Sequence, residues 1–162
     1  MPNWFVHEKW AQKAGIDKSI AVSVNRSIDY GLDWAILDEN EVAIVENVSN
    51  IYLQLLSFHE KDIEKKYSKK NLHVKACYLH HLLDYFRETR NDINDLDLIF
   101  DKFLQEKVIE EILDKDGNII SFREELEEIF QLLRQNKQNF FDDLKGSYLL
   151  SLEKNKNDNK IH

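Results

Sequence analysis

The chain has 162 residues, of which 43% are hydrophobic and 32% charged, and it contains one proline and four glycines. This length and composition suit one helix-rich domain with a buried core, and the net charge of −8 disfavours general binding to nucleic acids or anionic membranes. With one cysteine, no secretory signal and no apolar run of the ~18 residues that a membrane span needs, the sequence predicts a soluble cytoplasmic protein.

Two amphipathic helices are predicted at the start of the chain. Over residues 4–14, His7 falls on the apolar stripe with a tryptophan and two alanines, and Gly15 suits the end of the helix. The second helix would end at Gly31, and it carries Asp29 near its C-terminal end. A carboxylate there opposes the helix dipole, an unfavourable interaction that a bound cation would offset.

A long third helix is predicted over residues 41–66. Its apolar residues repeat at intervals of three and four, and His59 falls on the same stripe, so this imidazole is also expected to face inward. By propensity alone residues 42–45 would also suit a strand, but no pairing partner is evident. The lysine-rich run 61–70 is interleaved with acidic residues, which is typical of a solvated helix end rather than of a nucleic-acid patch.

The next predicted helix, over residues 72–90, carries the side chains most suited to chemistry. His80 and Asp84 lie one turn apart on a face that is separate from the leucine stripe. Such a pair can hold a divalent metal, or the carboxylate can orient the imidazole. His81, three residues before Asp84, could take the same role, and Cys77 is expected to be a packed, small apolar residue.

The C-terminal half is predicted to contain three more helices. A fifth helix runs over residues 96–112, and an Asp-Gly turn follows at 114–118. A Ser-x-x-Glu capping box that starts at Ser121 opens the next helix, and a last amphipathic segment covers 140–152.

Together these elements predict an all-α fold, a single bundle of six or seven helices joined by short loops. The bundle would span residues 1–152, and the polar tail 153–162 is expected to be disordered. No internal repeat and no linker that would divide the chain are evident in the sequence.

The run Asp114–Glu125 resembles the loop of an EF-hand, with oxygen ligands at its first, third, fifth and twelfth positions. Its sixth position holds Ile119, where the sharp turn of that loop needs glycine. An Asp-Gly turn followed by a capped helix explains the same residues, so calcium binding is the weaker interpretation.

The candidate metal ligands are His7, Asp29, His59, His80 and Asp84. Two of them are inward histidines, at positions where an aliphatic side chain would be easier to bury because an imidazole must find polar partners. Together with the His80/Asp84 pair they could hold one or two divalent ions, zinc, manganese or iron, inside a bundle. The alternative for each histidine is a satisfied or partly exposed core residue, with Asp84 bonded to an arginine such as Arg87.

Short segments of the chain resemble bacterial proteins related to zinc-dependent phospholipase C. The opening Met1–His7 is similar to that family's start, in which Met-Pro is followed after a few residues by a metal-binding histidine. A later helix resembles the family's helix with His-x-x-x-Asp, here His80 and Asp84. Asp29 and His59 fall between these segments, in the order of that family's intervening ligands.

The resemblance implies a metal-dependent helical enzyme, with one departure from the family pattern. That family completes a three-metal cluster with further histidines and a glutamate after the His-x-x-x-Asp helix. Here the only histidine after His81 is His162, so the resemblance implies a site with one or two ions. The chain is also similar in style to HD-type metal phosphohydrolases, which use dispersed His and Asp ligands, although their adjacent His-Asp dipeptide is absent.

Both resemblances imply hydrolysis of a phosphate ester. An ion bound by the candidate ligands would lower the pKa of its water to about 7 and polarise the phosphoryl oxygen, and Asp33 could take the proton. The competing expectation is a non-enzymatic helical protein that associates, for example as a homo-oligomer, through the aromatic and leucine-rich segment 140–152 if that segment is exposed.

Overall fold

The structure is a computed structural model, and it describes residues 4–30, 51–64, 71–89, 96–106, 109–114 and 116–146. These residues form mainly α-helix with one two-stranded sheet, which confirms the predicted all-α class. In chain order the elements are α1 (Trp4–Lys13), α2 (Lys18–Tyr30), α3 (Ile51–Glu64), α4 (Leu72–Thr89), α5 (Leu96–Glu106), β1 (Glu111–Leu113), β2 (Ile119–Ser121), α6 (Arg123–Gln135) and α7 (137–146). None of the helices in these ranges is long and apolar enough to cross a membrane.

The turn between α1 and α2 ends the first helix where the sequence predicts it. Gly15 has a φ of 79°, in the left-handed region that glycine adopts without a steric penalty. The Ile16 N–H donates to the carbonyl of Ala11 at 2.9 Å and the Gly15 N–H donates to that of Gln12 at 3.0 Å. These two bonds form a Schellman cap, and the buried side chain of Ile16 follows directly after it.

Helix α4 is the central element of the fold. It packs against α1, α2, α3, α5 and α6, and every residue from His73 to His80 is buried. Because this stretch is surrounded by other helices, its polar side chains His73, Lys75 and His80 lie in the interior together with the apolar ones. Each of these polar groups must therefore find a partner on a neighbouring helix or in a bound ligand.

The first turn of α4 is capped by a residue of α3. Asp62 Oδ1 accepts the backbone N–H of His73 at 2.9 Å, and Asp62 Oδ2 accepts that of Val74 at 3.1 Å. The same Oδ1 lies 2.6 Å from His73 Nδ1. N–H groups in the first turn of a helix have no partner within the helix, so Asp62 both satisfies them and joins α3 to α4.

The C-terminal helix α7 packs into the bundle. The ring of Phe140 is buried and lies 5.2 Å from that of Trp10 and 5.0 Å from that of Phe86, in both cases edge to face. The two other apolar residues of the 140–152 segment that the structure describes are partly buried. Residues 147–152, which complete that segment, lie outside the described residues.

The prediction of the fifth helix is wrong in its last turns. Helix α5 ends at Glu106, and Ile112, which the helix was expected to include, lies in strand β1. The two strands are antiparallel and pair in the register Glu111↔Ser121, Ile112↔Ile120 and Leu113↔Ile119. Three isoleucines favour the strand conformation here, and the turn that contains Gly117, at a φ of 81°, closes the hairpin.

The turn of the hairpin uses the carboxylate of Asp114. Its Oδ1 accepts the backbone N–H groups of Asp116 and Asn118 at 2.9 and 2.8 Å, and the Asn118 side-chain amide donates to its Oδ2 at 3.3 Å. The segment is therefore an Asp-Gly turn between two strands, rather than an EF-hand loop between two helices.

The capping box predicted at Ser121 does not form. Ser121 is the last residue of β2, and α6 begins at Arg123. Phe122 holds the cap position without a side-chain hydrogen bond, although Ser121 Oγ accepts the Arg123 N–H at 3.4 Å. Pairing of Ser121 with Glu111 keeps the serine in the sheet, which places it one residue too early for the capping geometry.

Two further helix predictions are confirmed for the residues that the structure describes, and two other predictions concern residues outside that part of the chain. The predicted helix over 72–90 is confirmed as α4, and the described part of the predicted helix over 41–66 is helical, as α3. The possible strand at 42–45 and the polar tail 153–162 lie outside the described residues.

Candidate metal site

Four polar side chains from three helices meet in what we call the His–Asp group: His7 of α1, Asp29 of α2, and His80 and Asp84 of α4. Asp84 lies between the two histidines, with its Oδ1 3.2 Å from His7 Nε2 and its Oδ2 3.1 Å from His80 Nε2. Asp29 Oδ1 lies 3.2 Å from the same His80 nitrogen. The two imidazole rings have their centroids 4.5 Å apart.

The group forms because the spacing of residues along α4 and the packing of α1 and α2 against it bring these side chains together. His80 and Asp84 are four residues apart on α4, which places them on one face one turn apart. Both α1 and α2 pack against α4. His7 lies on the inward stripe of α1, and it meets Asp84 at the junction of these helices. Asp29 is on the last turn of α2, so its carboxylate reaches the same place from the other side.

Burial within the group differs between the histidines and the carboxylates. His80 is 1% exposed and His7 6% exposed, whereas the side chain of Asp84 remains 30% exposed. The group is thus open to solvent on the side of Asp84 and enclosed behind His80. The side chain of Asp29 is 16% exposed, so both carboxylates of the group are more accessible than its histidines.

Two opposing effects set the pKa of Asp84. Burial by itself would raise the pKa of this carboxyl group, but its hydrogen bond with His7 and its contact with His80 lower the pKa well below its ordinary value. Asp84 is therefore ionised at neutral pH and supplies a negative charge to the group.

The other face of the His80 ring is held by Asn25, which the sequence analysis missed. Asn25 Oδ1 lies 2.8 Å from His80 Nδ1, inside the contact between α2 and α4. A carbonyl oxygen can only accept, so Nδ1 carries a hydrogen in this arrangement, and Nε2 is the nitrogen that faces the carboxylates and can bind a proton or a metal ion. The signal that could have found Asn25 is its position four residues before Asp29, which puts both side chains on one face of α2.

His80 Nε2 is a buried ring nitrogen without a hydrogen bond among the described residues, although two carboxylate oxygens lie within 3.2 Å of it. Two carboxylate oxygens this close to Nε2 require a positive charge there, which a proton on the ring or a bound cation can supply. The contact therefore marks the place in the group where a metal ion could replace a proton.

The distances also fit a single ion. One ligand atom from each of His7, His80 and Asp84 can be chosen so that all three lie within 4.8 Å of one another. Zinc bound tetrahedrally at 2.0–2.1 Å would hold neighbouring ligand atoms about 3.3–3.4 Å apart. The separations of 3.2 Å from His7 Nε2 to Asp84 Oδ1 and 3.1 Å from His80 Nε2 to Asp84 Oδ2 are close to that spacing, but they end on different oxygens, so a single ion would contact both oxygens of Asp84 or require a small shift of the side chains.

His59 does not join the group, contrary to the prediction from the sequence. Its ring lies 5.4 Å from that of Phe122, which is also in contact with Tyr78. Tyr78 is two residues before His80, about 200° around α4, so Phe122 and His59 lie on the opposite side of that helix. The inward orientation of His59 was predicted correctly, but the interior it faces is the junction of the hairpin with α6.

Other candidates near the group have separate partners. His81 Nε2 lies 2.6 Å from Gln54 Oε1 on α3, so His80 and not His81 pairs with Asp84.

Cys77 is buried as expected, and burial raises the pKa of its thiol, which disfavours the reactive thiolate. Arg87 is exposed, and the partners of Asp84 are histidines rather than this arginine. The proposed proton acceptor Asp33 lies outside the described residues.

Comparison of the chain with protein-family models, curated protein sequences and solved structures gives no match. The resemblances to the phospholipase C-like and HD-type families therefore gain no support from relatives and lose none. Any functional proposal for this chain must rest on the geometry and charge of the His–Asp group.

Proposed function

We propose that the protein is a metal-dependent hydrolase of phosphate esters, with one divalent ion held by the His–Asp group. The observation that carries this proposal is the convergence of ligand atoms from His7, His80 and Asp84 within 4.8 Å, with Nε2 of His80 turned toward two carboxylates. Asp29 is the fourth ligand in this proposal, because its Oδ1 is 3.2 Å from the same nitrogen.

Charge and donor type favour a divalent ion of the first transition row. When bound to an ion, two carboxylates and two imidazoles would give the donor set a charge of −2, which one divalent cation neutralises. Mixed imidazole and carboxylate donors suit zinc, manganese and iron, whereas calcium and magnesium prefer oxygen alone. The proposed cofactor is therefore zinc, manganese or iron.

The proposed reaction uses the open side of the group. An ion held there would polarise the phosphoryl oxygen of an ester and acidify an attacking water. Partly exposed Asp84 leaves an approach for the ester, while buried His80 and Asn25 close the opposite side to solvent. Asp33 is proposed as the proton acceptor on the strength of its place shortly after Asp29 in the chain.

The first test is the metal content of purified protein, measured by inductively coupled plasma mass spectrometry. We expect about one equivalent of zinc, manganese or iron per chain in the wild type, and its loss in His80→Ala and in Asp84→Ala with an unchanged far-UV helical signal. His59→Ala is the matched control, because it also removes a buried histidine but one that lies outside the group. Retention of metal by both site variants would contradict the proposal.

A second test measures hydrolysis of p-nitrophenyl phosphate and bis-p-nitrophenyl phosphate after the metal has been removed and restored. We expect activity to follow metal content, to be lost in His80→Ala and to persist in His59→Ala. Full metal occupancy without hydrolysis of either ester would separate metal binding from the proposed catalysis.

The alternative, a non-enzymatic helical protein that associates through 140–152, has less support. Phe140 is buried against Trp10 and Phe86, so the described start of this segment belongs to the core. A metal-free, folded wild-type protein that sediments as an oligomer would favour this alternative. A metal-loaded monomer would exclude it.

A further inference from the structure

Asn25 is a polar residue in a buried interface, where its amide must find hydrogen-bond partners. It is 3% exposed, in the interface where α2 packs against α4. Its Oδ1 makes a 2.8 Å contact with His80 Nδ1, and its Nδ2 is buried without a partner among the described residues. An aliphatic residue of similar size would avoid that unsatisfied donor, so the contact with His80 is the feature that distinguishes an asparagine here.

The contact determines which nitrogen of His80 carries the hydrogen. A neutral imidazole has one N–H and one lone pair, and the partner of the first nitrogen sets the state of the second. With the Asn25 carbonyl oxygen turned to Nδ1, a hydrogen stays on Nδ1, and Nε2 is the nitrogen available to an ion. Nε2 is the nitrogen that lies 3.1 Å from Asp84 and 3.2 Å from Asp29.

We infer that Asn25 is a positioning residue for the metal site: it fixes His80 in the Nδ1–H tautomer and holds the ring so that Nε2 is ready to bind the ion. This inference rests on the proposed function, because the ion is part of it. Helix α2 would thus supply two parts of the site from one face, Asp29 to the ion and Asn25 to the ligand behind it.

An asparagine suits this role better than an aspartate because it is neutral. Both residues offer an oxygen to Nδ1–H, but a third carboxylate would take the group beyond the −2 charge that one divalent ion neutralises. The amide therefore orients the imidazole without adding charge in a buried interface.

The test compares Asn25→Leu, Asn25→Asp and the control Ser27→Ala, all on α2. Leucine removes the acceptor at nearly constant size, and aspartate keeps it. The Ser27 hydroxyl donates to the Ser23 carbonyl of the same helix, at 2.9 Å, so its loss is expected to leave the site unchanged. The two readouts are the tautomer of His80, from long-range ¹H–¹⁵N correlation spectra of metal-free protein, and the zinc Kd, from competition with a chelator.

We expect the wild type to carry a hydrogen on His80 Nδ1, and Asn25→Leu to lose it in favour of a hydrogen on Nε2 alone, which the two carboxylates accept, with a zinc Kd weaker by about 10–100-fold. Asn25→Asp should keep the tautomer, and Ser27→Ala should match the wild type in both readouts. A structural role alone would lower the thermal stability of Asn25→Leu but leave the tautomer unchanged, and that result would overturn the inference.

A second variant covers the case in which Asn25→Leu is unstable, and the metal-binding result separates this inference from the proposed function. If Asn25→Leu does not fold, Asn25→Gln, which displaces the amide by one methylene, replaces it and is expected to show the same loss of tautomer preference. Failure of the proposed function has a different signature, since the wild type would then bind no zinc. The tautomer measured on metal-free protein would still test whether Asn25 positions His80.

Discussion

Buried Asp62 shows how much one residue can contribute to this fold. Its two oxygens accept the N–H groups of His73 and Val74, and its Oδ1 also contacts the imidazole of His73 at 2.6 Å. The side chain has no exposure to solvent, so removing it leaves three buried polar groups without their partner. A buried donor that loses its acceptor costs about 1–3 kcal/mol.

We therefore expect Asp62→Ala to lower the free energy of unfolding by about 3 kcal/mol, measured by urea denaturation. The matched control is Asp97→Ala, which removes a carboxylate that Arg134 Nε contacts at 2.7 Å on the surface. Exposed ion pairs contribute about 0–1 kcal/mol, so the control should change little. Equal effects of the two substitutions would contradict the capping role of Asp62.

Glycine has different backbone conformations in the hairpin turn and in α7. Gly117 has a φ of 81°, whereas Gly146 lies in helical residues without a positive φ. A Cβ added at either position would meet no atom within 4 Å. The two sites therefore differ in backbone conformation and not in available space.

Alanine should consequently have opposite effects at these two glycines. Gly117→Ala is expected to destabilise the protein by about 1 kcal/mol, because alanine is strained in the left-handed region. Gly146→Ala is expected to stabilise it by up to about 1 kcal/mol, since alanine reduces the freedom of the unfolded chain and suits a helix. Thermal unfolding followed by circular dichroism checks both signs, and a shared sign would refute this interpretation.

The His–Asp group joins three helices of the fold. An ion bound to His7, Asp29, His80 and Asp84 would link α1, α2 and α4, which the unfolded chain cannot hold together. Metal binding and the stability of the entire fold should therefore be coupled.

Zinc at about 100 times its Kd is expected to raise the free energy of unfolding of the wild type by about 2.7 kcal/mol, and removal of zinc with a chelator should reverse the gain. Asp84→Ala should show no such gain, while His59→Ala should behave as the wild type. Differential scanning calorimetry with and without zinc measures the effect. A stabilisation by zinc that persists in Asp84→Ala would locate its binding elsewhere.

The sequence by itself determined the features that depend on residues close together in the chain. The boundaries of α4, the glycine stop after α1 and the shared face of His80 and Asp84 follow from helical spacing and local backbone preferences, which act within one or two turns. The inward orientation of His7 and His59 follows from the same periodicity, and both side chains are buried.

Tertiary packing decided what these local rules leave open. Both histidines face inward, but only the packing of α1 and α3 around α4 sends His7 to Asp84 and His59 to Phe122. The role of Asn25 depends on α2 crossing α4 at His80, a contact 55 residues apart in sequence. Strand pairing likewise overrode the helical pattern at Ile112. A helical periodicity states that a residue faces the interior, but which neighbours it meets there depends on contacts between helices that no local spacing encodes.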